Sequence, residues 1–284
     1  FGWQRQVFKE DNSWNNDSVS DGMILSPYLT LKINGADIPV YASRATFSTH
    51  SFAYADVEGE GDFSLCVELH LFQKRNAVVV LPESKGVKAT VHGDFDVSAE
   101  IREEGSYSFA FEHYVEGAFT LFVRRKQPLA VPSGYRTQEI LPARHTLSDT
   151  CFDREKTVYR FKAGAHYLEA VTLPSDSILY FEDGAIVYAE CNDENNKSAG
   201  IINSANTRNV TICGRGAIDY SAVPGGRKTG FEFVGCKNLT VKDLTLINSP
   251  GWTLCVTGCE EIRIGQLMFI AYRMFSDGIM LSDC

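Results

Sequence analysis

The side chains of this sequence that are best placed for chemistry lie near its end. The stretch RMFSDGIMLSDC, residues 273–284, puts Asp277 before a glycine in a polar loop, four residues after Arg273. An Asp-Gly pair is a common turn signal, but a loop carboxylate can also take a proton from water. Arg273 could pair with a carboxylate of a bound molecule or remain a solvated charge. Asp277 is therefore a candidate catalytic group whose simplest alternative is an ordinary turn.

Composition limits what these groups could act on. The chain has 284 residues, of which 44% are hydrophobic, and a formal net charge of −9. These values indicate a substantial core and argue against a nucleic-acid partner, which would require a basic face. No apolar run of about 18 residues predicts a membrane span, so no membrane partner is expected. No leader pattern opens the sequence, so export stays open, with a secreted or periplasmic location slightly favoured. The oligomeric state is not indicated.

The cysteine and histidine spacings do not predict a metal or any other cofactor. The eight cysteines include no Cys-x-x-Cys pair, and the six histidines are scattered along the chain, which makes a zinc site improbable. The acidic run AECNDENNKSAG, residues 189–200, lacks the spacing of a calcium loop. We interpret it as a solvated insertion and expect no cofactor.

The first part of the chain has the pattern of short β-strands. YLTLKI, residues 28–33, alternates apolar and polar residues, and Asn34-Gly35 supplies a hairpin turn after it. Several further short apolar runs follow without a helical period, which predicts an antiparallel β-sandwich. Residues 127–150 contain three prolines and indicate a linker. We therefore predict a sandwich domain with its linker over residues 1–145.

The second part, residues 146–284, repeats itself. GCKNLTVKDLTLIN (235–248) and GCEEIRIGQLMFIA (258–271) share one pattern of two short strands after a Gly-Cys pair. A period of about 22–25 residues built of short strands is typical of a right-handed parallel β-helix. The spacing of Cys213, Cys236, Cys259 and Cys284 predicts that these cysteines stack as a buried apolar ladder, for which disulfides are the alternative. Because LSDC opens another repeat, the β-helix is expected to be incomplete at the C-terminus.

Several ordered motifs in residues 155–284 carry a family resemblance. They are the coil at 158–190, GRGAIDYSA (214–222), VKDLTLINSPGWTL (241–254) and SDGIML (276–281). Together they resemble the polygalacturonase-like glycoside hydrolases, family 28 and its bacterial relatives, which have the pectin-lyase-like β-helix fold. The preceding sandwich is similar to accessory domains that are fused to bacterial members.

The resemblance implies an inverting hydrolysis of glycosidic bonds, in which carboxylates activate water and protonate the leaving oxygen. Asp277 corresponds to a water-activating aspartate. The general acid would follow one coil later, beyond residue 284, so this chain alone is expected to lack the complete active site. Phe275 and Met280 depart from the family pattern, which puts specificity for galacturonate in doubt.

The predicted function is hydrolysis of a plant or microbial polysaccharide of the pectin or polygalacturonate type. Trp252 could stack on a sugar ring or pack on the core. Arg273, Arg227 and Lys228 could contact substrate or remain solvated. The partner would be a polysaccharide or oligosaccharide. Two alternatives stay open: a non-catalytic β-helix that binds carbohydrate or serves attachment, and a calcium-dependent enzyme of the pectate-lyase type.

Overall fold

The computed structural model describes residues 25–42, 51–74, 77–111, 118–126, 129–145, 152, 154–190, 200–223, 229–271 and 276–284. These residues divide into two compact units, one before and one after residues 127–128. Their regular structure is β except for a 3₁₀ turn at Glu83–Lys85. None of them belongs to a helix that could span a bilayer.

The described residues of the N-terminal unit form two five-stranded sheets, whose inward side chains make one common hydrophobic cluster. One sheet has the order β2-β1-β5-β8-β7 and the other the order β3-β4-β10-β9-β6. The strands are β1 Leu29–Ile33, β2 Ala36–Ile38, β3 Tyr41–Ala42, β4 Ser51–Val57, β5 Leu65–Leu71, β6 Val78–Leu81, β7 Ala89–His92, β8 Asp96–Ile101, β9 Gly105–Phe111 and β10 Phe119–Arg125.

The first hairpin forms as the sequence predicts. Leu29, Leu31 and Ile33 are buried while the residues between them are exposed. Asn34 and Gly35 both have positive φ, 50° and 80°, which is the backbone of a tight hairpin turn with the strand twist. The sheets differ from the prediction in one respect, because β10 pairs with β4 in parallel and the unit is therefore not purely antiparallel.

The described residues of the C-terminal unit form a parallel β-helix of six coils, in which each strand pairs in parallel with its equivalent in a neighbouring coil. The first sheet has the order β11-β13-β16-β19-β22-β25, the second β12-β14-β17-β20-β23-β26 and the third β15-β18-β21-β24-β27. The strands are β11 Arg136–Ile140, β12 Arg144–His145, β13 Thr157–Phe161, β14 Gly164–Leu168, β15 Val171–Thr172, β16 Ser177–Phe181, β17 Ala185–Ala189, β18 Ile202–Ala205, β19 Arg208–Gly214, β20 Ala217–Asp219, β21 Phe231–Val234, β22 Lys237–Lys242, β23 Thr245–Ile247, β24 Leu254–Thr257, β25 Glu260–Gly265, β26 Met268–Ile270 and β27 Ile279–Ser282.

Stacking of equivalent residues builds the interior. As the repeat predicts, Leu239 and Val241 point into the core. The rings of Phe161 and Phe181 stack with centroids 4.7 Å apart. The next residue of that column is Gly214, where a Cβ atom would lie 2.0 Å from the Phe181 carbonyl oxygen. The column therefore changes from aromatic to glycine because no side chain fits there.

The β-helix begins earlier than the sequence indicates. β11 and β12 pair in parallel with β13 and β14, so they belong to its first coil although they lie within the predicted linker and before residue 146. The prolines of this segment are typical of a linker, and the sequence pattern does not reveal its strands because their partners, β13 and β14, come only later in the chain.

The predicted cysteine ladder is partly wrong. Cys236, Cys259 and Cys284 do occupy the same turn in successive coils, and the Cys236 N–H lies 3.1 Å from Cys259 Sγ. The equivalent residue one coil earlier is Thr207, whose hydroxyl contacts Cys236 Sγ at 3.3 Å. Cys213 lies instead on β19, opposite Tyr180. The spacing of 23 residues between Cys213 and Cys236 does not correspond to one coil, because the turn after β20 is longer than the equivalent turns after β23 and β26.

A second ladder, not foreseen from the sequence, marks the turn before the first sheet. Asp176, Asn209, Asn238 and Glu261 have φ between 54° and 57°, a left-handed conformation that Asn and Asp tolerate. Asn209 Nδ2 donates to Asp176 Oδ1 over 2.6 Å, and Asn238 Nδ2 donates to Asn209 Oδ1 over 2.7 Å. These hydrogen bonds tie the turns of three coils together.

Two histidines are buried in the first coils. His166 Nε2 lies 2.8 Å from the Lys162 carbonyl oxygen and must donate to it, so the neutral ring accepts at Nδ1, 3.1 Å from His145 Nε2. Burial lowers the pKa of His166, and the neighbouring His145 lowers it further. A second proton on His166 would have to displace the hydrogen bond from His145.

This arrangement predicts a loss of stability in mild acid. Because the pKa of His166 is lower in the folded chain than in the unfolded chain, the unfolded state binds more protons below about pH 6.5. The free energy of unfolding should fall with decreasing pH by up to about 1.4 kcal/mol per unit for one such proton. Urea denaturation between pH 7.5 and 5 measures the slope.

His166→Gln should flatten that slope, whereas His92→Gln, which changes an exposed histidine, should leave it as in the wild type. An unchanged slope in His166→Gln would mean that other groups cause the acid sensitivity.

Candidate functional site

The turns from the second to the third sheet form the most elaborate edge of the β-helix. In the last four coils the described residues of these turns are 190, 200, 201, 220–223, 229, 230, 248–253, 271 and 276–278, and we call them the long-turn edge. The described turns from the first to the second sheet, and from the third sheet to the first sheet of the next coil, have only two or three residues, except for 173–176. Long turns on a rigid scaffold are the usual place for binding and catalytic side chains.

Trp252 and Asp277 lie at equivalent positions of this edge. The Gly230 N–H donates to the Trp252 carbonyl over 2.9 Å, and the Thr253 N–H donates to the Asp277 carbonyl over 2.8 Å. Together with the pairing of Leu254 and Ile279, this register puts Trp252 directly beside Asp277, one strand spacing of about 4.8 Å away. Both residues are exposed. The structure thus brings together two residues that are 25 positions apart in sequence.

A buried polar layer supports the turn that carries Trp252. Asn248 has a left-handed backbone, with φ 51°, and its Nδ2 donates to Ser221 Oγ over 2.9 Å. The Ser221 N–H in turn donates to Asp219 Oδ1 over 2.8 Å. The Ser249 hydroxyl reaches the Trp252 carbonyl at 3.4 Å. Two consecutive turns are thereby linked through buried side chains.

The outer face of the third sheet continues from this edge as a column of side chains. Its members, in successive coils, are Thr172, Asn203, Glu232, Cys255 and Met280. Glu232 Oε2 accepts from the Gly200 N–H over 2.9 Å, and Thr172 Oγ1 donates to Asn203 Oδ1 over 2.8 Å. The polar members are linked to one another and to the turn at Gly200.

Glu232 is a carboxylate that the sequence reading missed. It is the outward residue of FEFV, between two buried phenylalanines, and that alternation could have identified it. It lies two coils from Asp277 and three residues further along the strand direction, roughly 14 Å away between Cα atoms. At that distance the two carboxylates cannot share one bound water, so Glu232 contributes acceptors and negative charge to the face beyond Asp277.

A thiol and a phenol of this region stay protonated at neutral pH. Burial raises the pKa of the Cys255 thiol, and the nearby Glu232 carboxylate raises it further. Burial alone raises the pKa of Tyr220 well above its usual value. Neither group is therefore an ionised nucleophile at neutral pH.

The three basic candidates from the sequence, Arg227, Lys228 and Arg273, lie outside the described residues. The described residues next to them, Val223, Thr229 and Ser276, belong to the long-turn edge. Within the described part of the chain, no three His, Cys, Asp or Glu side chains are close enough together to hold a metal ion.

Comparison with known proteins supports the fold. No protein-family model matches the chain, and no curated protein matches it. Among solved structures, Dex49A from Penicillium minioluteum superposes with a TM-score of 0.62 at 11% identity, over 92% of this chain and 62% of that protein. The family 28 exopolygalacturonase of Yersinia enterocolitica matches with a TM-score of 0.41 at 13% identity, over 76% and 60%. The chain thus spans less than two thirds of either protein.

The fold class is therefore defined: this chain is an all-β protein whose second unit is a parallel β-helix. The likeness to Dex49A confirms the predicted β-helix, and at 11% identity it concerns the fold.

The site geometry predicts a strong effect at Gly230, which lies beneath the Trp252 turn. A Cβ atom there would lie 2.5 Å from the Thr253 carbonyl oxygen and 3.2 Å from Ser249 Oγ. Gly230→Ala must therefore displace backbone, and we expect it to lower the free energy of unfolding by about 1–3 kcal/mol. Urea denaturation gives this value.

Gly265→Ala is the matched control, because nothing lies within 4 Å of the added methyl group. It should be neutral or stabilise the chain by up to about 1 kcal/mol. Equal losses in both variants would contradict the packing described for the Trp252 turn.

Proposed function

We propose that this chain belongs to an enzyme that hydrolyses glycosidic bonds of a polysaccharide at the long-turn edge. The observation that carries the proposal is the register that sets exposed Trp252 beside exposed Asp277 in adjacent coils. An indole can pack on the C–H face of a sugar ring, and a carboxylate one strand spacing away can then reach a water molecule near that ring. Dex49A, which has a similar fold, is a dextranase of glycoside hydrolase family 49.

In the proposed reaction Asp277 acts as general base. Its carboxylate takes a proton from water while the water oxygen attacks the anomeric carbon from the face opposite the leaving group. The glycosidic C–O bond breaks, and a general acid supplies the proton that the leaving oxygen needs. Attack from the opposite face inverts the anomeric configuration.

The role of Asp277 can be tested without the general acid. In a glycosyl fluoride the fluoride ion departs with the electron pair of the C–F bond and needs no proton. Asp277→Asn should lower the rate of fluoride release from oligosaccharyl fluorides about 10²- to 10⁴-fold, the usual contribution of a general base. A fluoride electrode measures the rate, and NMR of the first product shows whether the configuration is inverted.

Asp283→Asn is the matched control, because Asp283 lies in the same coil at the other end of β27 and asparagine accepts its left-handed φ of 53°. It should keep the wild-type rate. Fluoride release that is equally fast in Asp277→Asn and in the wild type rejects Asp277 as the base. Tight glycan binding by a wild type that releases no fluoride favours the non-catalytic alternative.

The finer proposal is a substrate of the pectin or polygalacturonate type. It rests on Arg227, Lys228 and Arg273, whose charges could pair with uronate carboxylates, whereas Glu232 would oppose such a substrate within its reach. If the proposal holds, Arg273→Gln should weaken polygalacturonate binding about tenfold, the effect of losing roughly 1.4 kcal/mol. Isothermal titration calorimetry with polygalacturonate, rhamnogalacturonan and dextran measures the affinities.

The same substitution should leave dextran binding unchanged, since dextran carries no charge. If dextran binds more tightly than polygalacturonate and Arg273→Gln affects neither, the uronate substrate is rejected while glycoside hydrolysis at Asp277 stands.

A further inference from the structure

A cluster of exposed aromatic rings lies on the N-terminal unit, remote in sequence from the long-turn edge. It consists of His70, Phe72 and Phe95 together with Asp96, and we call it the aromatic patch. The His70 ring centroid lies 6.1 Å from that of Phe72 and 6.2 Å from that of Phe95. Phe72 is 50% exposed and Phe95 41%. Two large apolar rings are thus held in water around one imidazole.

The strand pattern explains why these rings face outward. β5 alternates strictly, with Leu69 and Leu71 in the core and His70 on the outer face. Phe72, one residue past the strand, continues the outward set, and its N–H donates to the Tyr28 carbonyl over 2.9 Å. The Phe95 carbonyl accepts from the Leu71 N–H over 2.8 Å. Backbone hydrogen bonds to neighbouring residues therefore hold the patch in place.

Polar atoms with unused hydrogen-bonding capacity border the rings. His70 Nδ1 lies 2.7 Å from Asp96 Oδ1 and donates to it, which leaves the neutral ring's Nε2 as an acceptor. Among the described residues neither His70 Nε2 nor Asp96 Oδ2 has a further partner. Beside them Lys74 pairs with Asp94 over 2.8 Å. The patch thus combines flat apolar surface with acceptor atoms directly at its border.

We propose that the aromatic patch binds a neutral hexopyranose polysaccharide. A pyranose ring offers an apolar C–H face, which packs on phenyl rings, and hydroxyl groups, which donate to acceptors such as Asp96 Oδ2 and His70 Nε2. The net charge of Asp94, Asp96 and Lys74 is negative, so a polyuronate is repelled and an uncharged chain is preferred. Exposed apolar patches with polar rims mark binding sites, whereas an ordinary solvated face does not need clustered rings.

The test measures retention of the complete chain in affinity electrophoresis through gels that contain dextran, hydroxyethyl cellulose or galactomannan, with polygalacturonate as the charged comparison. The wild type should be retarded by at least one neutral glycan and less by polygalacturonate. Phe72→Ala and Phe95→Ala should each raise the dissociation constant about tenfold, the effect of losing one ring contact. Phe72→Trp should preserve binding because it keeps a flat aromatic face.

Val79→Ala is the matched control, since Val79 is 47% exposed on β6 of the same unit and lies outside the patch; it should bind as the wild type. The losses should persist in a Trp252→Ala background, which separates this site from the long-turn edge. No retardation by any neutral glycan, or equal retardation of the phenylalanine variants, overturns the proposal. Sedimentation that shows a dimer disrupted by Phe72→Ala, without an effect on glycans, overturns it in favour of contact between two copies.

Discussion

The in-register parallel pairing of successive coils is the constraint on which the β-helix depends. Every described strand of the β-helix pairs with its equivalent in a neighbouring coil, so each side chain must be compatible with the residues next to it in its column. This requirement accounts for the stacked Phe161 and Phe181, for Gly214 next to them, and for the repeated left-handed turns at Asp176, Asn209 and Asn238. A residue is selected by its column as much as by its neighbours in sequence.

The same constraint directs variation, and with it function, to the turns. Strand length and register are fixed by the coils on either side, whereas a turn can lengthen without disturbing them. In this chain the long turns lie on one edge, where the register aligns Trp252 with Asp277 and where Asn248 and Ser221 support the backbone from within. The proposed chemistry therefore depends on a scaffold that repeats the same edge position in every coil. In the N-terminal unit the proposed functional side chains are placed differently, because the proposed glycan contact uses the outer face of a sheet.

Local sequence patterns predicted much of this architecture, and the predictions that failed have a common cause. The hairpin at Asn34-Gly35 and the strands of the repeats follow from alternation and turn chemistry within a few residues. The cysteine ladder was misassigned because spacing along the chain equals spacing between coils only where the turns have equal length, and the turn after β20 is longer. β11 and β12 fall within the predicted linker because they are recognisable as β-helix strands only through their later partners. Glu232 was missed because the alternation in FEFV marks it only as an outward residue, whereas its neighbours on that face come from other coils.

The sequence by itself thus determined the element types, the division into two parts, the β-helical repeat and Asp277 as the first catalytic candidate. Tertiary structure alone decided which residues share a column: Thr207 rather than Cys213 with Cys236, Trp252 with Asp277, and Glu232 with Cys255. It also brought Phe95 to His70 and Phe72 across neighbouring strands. The physical reason is that alternation and turns are properties of a short segment, whereas a column or a patch is defined by hydrogen-bonded register between segments that are far apart in the chain.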